Sequence, residues 1–161
     1  MTLINDLRGW FSNAQRVVIV GVGNPIRRDD GVGVEIVHSL KGKVSNDILL
    51  IESETIPENF INQIIEFKPT HILIINAALM HLNPGTAKLV KSIEAPEESI
   101  STHGLPIQIF VQYLTKMTEA NTAMLLIQPR DTGFGEGLTS ELNKVKEKLA
   151  KNLFTIIAET C

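Results

Sequence analysis

Five short apolar runs constrain the fold of this chain more than any other feature. RVVIVGV (residues 16–22), ILLI (48–51), HILII (71–75), AKLV (87–90) and AMLLI (123–127) are each too short for a helix, and most are rich in β-branched residues. RVVIVGV and HILII show no polar alternation, which predicts strands covered on both faces. Between the runs, apolar residues recur at helical spacing over residues 1–11, 30–40, 57–67, 105–114 and 138–154. Pro57 and Pro106 come early in their segments, where a helix tolerates proline. Strand and helix therefore alternate almost throughout. That order predicts an α/β fold, a three-layer α/β/α sandwich whose twisted, mostly parallel sheet of about five strands carries helices on both faces. At 161 residues the chain is expected to form a single domain, residues 1–161, with residues 1–15 as an N-terminal helical extension.

Charge and cysteine content narrow the partners. A net charge of −3 offers no electrostatic reason to expect nucleic acid. No apolar run approaches the roughly 20 residues that cross a bilayer. Asp6 and Arg8 interrupt the apolar residues of the opening segment, so neither a membrane anchor nor a secretory signal is expected. The single cysteine, Cys161, excludes an internal disulfide and a cysteine-rich metal site, which makes a reducing cytoplasm the expected setting.

In a parallel sheet, ligands sit beyond the carboxyl ends of the strands. The polar residues expected at that edge are Asn24, Asp29 and Asp30 after the first strand, Glu52 and Glu54 after the second, Asn76 at the end of the third and Gln128 after the last. His103 lies in a loop just before a helix. The stretch GVGNPIRRDDGVG, residues 21–33, opens like a dinucleotide-binding turn, but Ile26 stands where that fingerprint needs its third glycine. Two carboxylates there would also repel a pyrophosphate. Asp29 reads as the N-cap of the following helix, whereas Asp30, on the opening turn, can point across the sheet edge. Arg27 and Arg28 read as solvated or as paired with an acidic group. Glycine and proline flank His103 in STHGLP, which sets it apart from His38, His71 and His81. Asparagine suits a strand-end turn, and Asn76 can also offer its amide oxygen to a metal. Carboxylate, histidine and amide at one edge fit a metal-handling or hydrolytic site and a purely structural arrangement equally well.

Four of these stretches, in register, resemble the hydrogenase maturation endopeptidases. GVGNPIRRDDGVG resembles the family's opening Gly-x-Gly-Asn motif with its acidic pair, and ILIINAALMHLNPG resembles its third-strand segment. STHGLP is similar to its histidine loop and IQP, residues 127–129, to the segment after its last strand. IPENF, residues 56–60, looks like the second-strand exit of the branch that processes the hydrogen-evolving hydrogenase. The resemblance implies a phosphorylase/hydrolase-like sandwich and an aspartyl-type endopeptidase, a cytoplasmic monomer. Such an enzyme removes a C-terminal extension from the large-subunit precursor of a nickel–iron hydrogenase after nickel insertion. It further implies that nickel arrives with the precursor and is not held tightly by the free protein. Two acidic residues and a histidine recognise it, and by position these are Asp30, Asn76 and His103, as metal ligands and as catalytic residues.

Asn76 departs from that pattern, because the family carries aspartate there, and Leu79 stands where some relatives have a second aspartate. The amide keeps the size of a carboxylate but loses its charge and cannot act as a general base. Three readings stay open. Asn76 still coordinates through its oxygen; it marks an impaired or engineered enzyme; or the chain is a nickel- or precursor-binding maturation chaperone of the same fold. His81 is a further candidate for a substitute ligand. In the implied chemistry nickel places the scissile peptide, and Asp30 is the candidate to activate water. No side-chain nucleophile is expected, since Cys161 is terminal and no Gly-x-Ser-x-Gly elbow occurs. A hydrolase with its own zinc is the remaining alternative.

Overall fold

The computed structural model describes residues 2–91, 100–101 and 107–161. Helix α1 (Leu3–Phe11) opens with Thr2 as its cap, the hydroxyl accepting from the Asn5 amide at 3.3 Å, and buries Leu7, Trp10 and Phe11. Strands β1 (Val17–Val22), β2 (Ile48–Glu54), β3 (His71–Leu79), β4 (Ala87–Lys91), β5 (Ile100–Ser101) and β6 (Asn121–Ile127) build one sheet. Its order is β2-β1-β3-β6-β4, with β5 pairing only β3. β2, β1, β3 and β6 run parallel, while β4 lies antiparallel on the β6 edge.

The helices between strands cover both faces, as the alternation predicts. Helices α1, α2 (Val32–Leu40) and α5 (Ser140–Thr160) pack with Ile19, Leu73, Ile75, Leu125 and Ile127. Helices α3 (Ile61–Phe67) and α4 (Ile107–Thr118) pack on the other face with Val18, Val20, Ile72, Ile74, Met124 and Leu126. Odd- and even-numbered residues of each strand thus feed opposite cores, which is why these runs lack polar alternation. Each fully buried isoleucine or valine contributes about 2 kcal/mol by leaving water.

Several elements differ from the sequence-based expectation, β2, α4 and α5 by running on to Glu54, Thr118 and Thr160. The helix expected over residues 30–40 begins as a 3-10 turn, Arg28–Gly31, and becomes α-helical only at Val32. The segment after β2 likewise starts as a 3-10 turn, Pro57–Phe60, before α3. β3 runs on past Ile75 to Leu79, because β6 keeps pairing as far as Ala77↔Ile127 and β5 takes up Ala78 and Leu79. The start of the helix expected over residues 105–114 lies outside the described residues, which resume at Ile107. Cys161 is half-buried at the end of α5, its Sγ 3.9 Å from the Ala14 carbonyl. Burial, and then the charge of Asp47, pushes its thiol pKa up and lowers its thiolate fraction.

His71 opens β3 buried, its Nδ1 2.9 Å from the Thr70 hydroxyl and its Nε2 3.1 Å from Asn13 Oδ1, with the Trp10 ring packed edge-on at 4.9 Å. Burial holds its pKa below the usual histidine value, against a smaller opposing effect of the Trp10 backbone. Below about pH 6.5 the unfolded chain therefore binds a proton that the folded chain does not. Stability from this group is full above that pH and is lost progressively as pH falls toward the folded value. Urea titrations between pH 7 and 5 are expected to show stability falling with acid, and the slope should be shallower in His71→Gln.

Candidate active site

The strand order reverses at β1. The chain leaves β1 for β2 on one side and returns to β3 on the other, so the crevice beyond the carboxyl ends of β1 and β3 is the topological switch point, where doubly wound sheets bind ligands. The edge is irregular there. β1 pairs with β3 only as far as Gly21↔Ile75, and its register against β2 slips between Gly21 and Val22.

Residues 23–33 turn tightly across this edge because two glycines permit it. Gly23 has φ +144°, and a Cβ there would meet the Asp30 carbonyl oxygen at 1.8 Å. A Cβ on Gly33 would meet the Ile75 carbonyl oxygen at 2.1 Å. The start of α2 thus rests directly on β3 at Ile75, so the turn that carries Asp30, three residues before Gly33, crosses the strand beside Asn76. Asp30 is 1% exposed, and its Oδ2 accepts from the Asn24 amide at 2.8 Å. Asn24 in turn accepts from the Ile26 amide at 3.1 Å, closing a local turn.

Asp29 corrects the sequence-based reading, since no side chain caps α2 and Gly31 occupies its N-cap. The Asp29 carboxylate, 0% exposed, instead accepts from the backbone amides of Arg130 (2.9 Å), Asp131 (3.0 Å) and Thr139 (2.8 Å) and from the Thr139 hydroxyl (2.9 Å to the nearer oxygen). Thr139 is the N-cap of α5, so this carboxylate anchors the start of a helix far along the chain. The arginines join the same union. Arg27 Nε donates to the Thr132 carbonyl at 3.0 Å, and Arg28 Nε lies 3.7 Å from the Asp131 carboxylate.

Asn76 is the other correction. It sits inside β3 opposite Leu126, 1% exposed, not at the strand's end. Strand periodicity puts it on the face of Ile74 and Ala78, the face that α4 covers. Its Nδ2 donates to the Ala77 carbonyl at 3.2 Å, while its buried Oδ1 has no hydrogen-bond partner among the described residues. An acceptor left so costs about 1–3 kcal/mol, and in a native structure it calls for an explanation, a bound water or ion being one.

The remaining edge candidates divide. Gln128 is a clamp, its Oε1 accepting from the Met80 amide at 2.7 Å and its Nε2 donating to the Pro129 carbonyl at 3.1 Å. Glu52 lies within β2 and pairs with His38 and Lys41 at the end of α2, so it takes no part in the crevice. Glu54 is exposed, its carbonyl accepting from the Gly23 amide at 2.9 Å. His81 is exposed in the turn after β3. His103 lies outside the described residues, and among the described residues no three His, Cys, Asp or Glu side chains are grouped to hold a metal ion.

Known proteins of this shape are consistent in kind. The family model HycI, hydrogenase maturation protease, matches residues 34–156, a span that holds Asn76 and His103 and begins after Asp30. A Methanocaldococcus jannaschii protein, provisionally named a hydrogenase maturation protease, is 37% identical over 157 residues, 92% of each chain. The hydrogenase 3 maturation protease of Escherichia coli is 29% identical over 137 residues, 84% of this chain and 87% of its own. The crystal structure of the nickel–iron hydrogenase maturation protease HycI from Thermococcus kodakarensis aligns with a TM-score of 0.88 at 30% identity, covering 95% of this chain and 99% of that one.

The Asp29 anchor sets a stability expectation. Asp29→Ala strands three backbone amides and should cost about 3 kcal/mol in urea denaturation. Asp29→Asn, which keeps two acceptor positions at most, should fall between the variant and the wild type.

Proposed function

The chain belongs to the hydrogenase maturation protease family and is a peptidase, and on that premise we propose the reaction it performs. It removes a C-terminal extension from the nickel-loaded large-subunit precursor of a nickel–iron hydrogenase, acting in the cytoplasm as a monomeric, single-domain enzyme. Among the described residues no helix is long and apolar enough to cross a membrane.

The observation that carries the reading is the buried Asn76 Oδ1, which has no hydrogen-bond partner among the described residues, on the strand crossed by the turn that carries Asp30. A carboxylate and an amide oxygen suit a cation that another polypeptide presents, and imidazole completes a set acceptable to nickel. The pairing of β5 with β3 supports His103 as that third group. Ser101 faces Ala78, so the histidine follows Ser101 by two residues just as Asn76 precedes Ala78 by two. Two residues reach about 7 Å.

In this mechanism the nickel is substrate, held by the precursor and touched by Asp30, Asn76 and His103. Its recognition fixes the scissile bond over the crevice, which makes attack effectively unimolecular. Asp30 accepts a proton from water as its oxygen adds to the peptide carbonyl, and returns the proton to the leaving nitrogen as the C–N bond breaks. Asn76 cannot take that proton role and contributes only its oxygen lone pairs.

Mass spectrometry of nickel-loaded precursor after incubation tests this. Wild type should release the C-terminal tail. Asp30→Ala should slow release by about 100-fold or more, and His103→Ala should weaken precursor recognition. Asn76→Asp, which restores an anion, should cleave faster. Tight precursor binding by wild type with no cleavage would select the second reading, a maturation chaperone of the same fold, which the missing charge at Asn76 favours.

A further inference from the structure

Among the described residues eight large apolar side chains are exposed, and four of them, Ile26, Ile56, Leu79 and Phe134, lie at or beyond the carboxyl ends of β1, β2, β3 and β6. Parallel strands put those ends on one edge, the edge of Asp30 and Asn76. The ends of β2, β1 and β3 alone span about 10 Å. Such a width exceeds one extended peptide and suits a protein surface.

Phe134 is the most exposed of the eight, at 81%. Its loop is nevertheless tied down at several points. Gly135 donates to the Ile26 carbonyl at 3.0 Å and accepts from the Arg28 amide at 3.0 Å; Gly133 donates to the Asp131 carboxylate at 2.8 Å; and Arg27 and Asp29 hold Thr132, Asp131 and Arg130. The Ile26–Gly135 bond also sets Phe134 next to Ile26 in space. A solvated phenylalanine on a loop this constrained adds nothing to the core, but it is pre-organised for an interface, since little freedom is lost when a partner covers it. Because Asp29 both anchors this loop and precedes Asp30, the aromatic is held in fixed relation to the crevice.

We propose that Phe134, with Ile26, is the apolar anchor that docks the folded body of the precursor beside its cleaved C-terminal segment. This rests on the reading of the chain as a precursor protease. It assigns binding to the rim and chemistry to the crevice.

Steady-state cleavage of nickel-loaded precursor and direct binding by calorimetry test the assignment. Phe134→Ala should raise KM and Kd by about tenfold or more, leave kcat at saturating precursor and the melting temperature unchanged, and be rescued by Phe134→Trp. Phe154→Ala, an exposed aromatic on α5 near its far end, should change nothing. Equal KM and Kd for Phe134→Ala and wild type would overturn the anchor while leaving the protease reading intact. If wild type binds precursor without cutting it, the protease reading fails and the Kd comparison still decides the anchor. If wild type neither binds nor cuts, both fail.

Discussion

The carboxylate of Asp29 is the joint on which this molecule turns. A buried charge costs several kcal/mol to desolvate and survives only when donors surround it. Here three backbone amides and a hydroxyl, all from residues 130–139, supply them. The loop after β6 is thereby fixed to the turn after β1, α5 starts where Thr139 is held, and the shape of the edge follows from that union. With the anchor in place, Gly23 and Gly33 let the turn lie flat on β3.

Two adjacent aspartates of identical chemistry are given different partners by one 3-10 turn. Asp29 points to the C-terminal loop and spends its oxygens on structure. Asp30 instead accepts from the Asn24 amide, beside a strand whose Asn76 finds no partner for its acceptor oxygen among the described residues. A fold optimised for stability alone would place a hydrocarbon at that position. The local cost is bearable because β3 is paired on both sides as far as Ile75 and on the β6 side beyond it.

Much of the fold is legible in the chain because its information is local. β-branched runs without polar alternation mean strands buried on two faces, and the helical segments between them mean crossovers, so the α/β class follows from periodicity. The motifs that resemble the maturation proteases are contiguous stretches and need no structure to be seen. What local pattern misreads is Asn76, where turn preference suggests a strand end, and Asp29, where sequence proximity suggests capping of the nearest helix. Non-local pairing decides both. β6 and β5 carry β3 through the asparagine, and residues 130–139 claim the aspartate.

By itself the sequence determined the layer architecture, the order of the elements and the family, since hydrophobic period and contiguous motifs are properties of neighbouring residues. It also marked Asp30, Asn76 and the loop of His103 as the polar residues of interest. Only the tertiary structure decided which aspartate is structural, that Glu52 turns away to α2, that Gln128 is a clamp and that Phe134 stands exposed on a rigid loop. Those outcomes depend on which hydrogen-bond donors and acceptors meet across a hundred residues of chain, and no local spacing encodes that meeting.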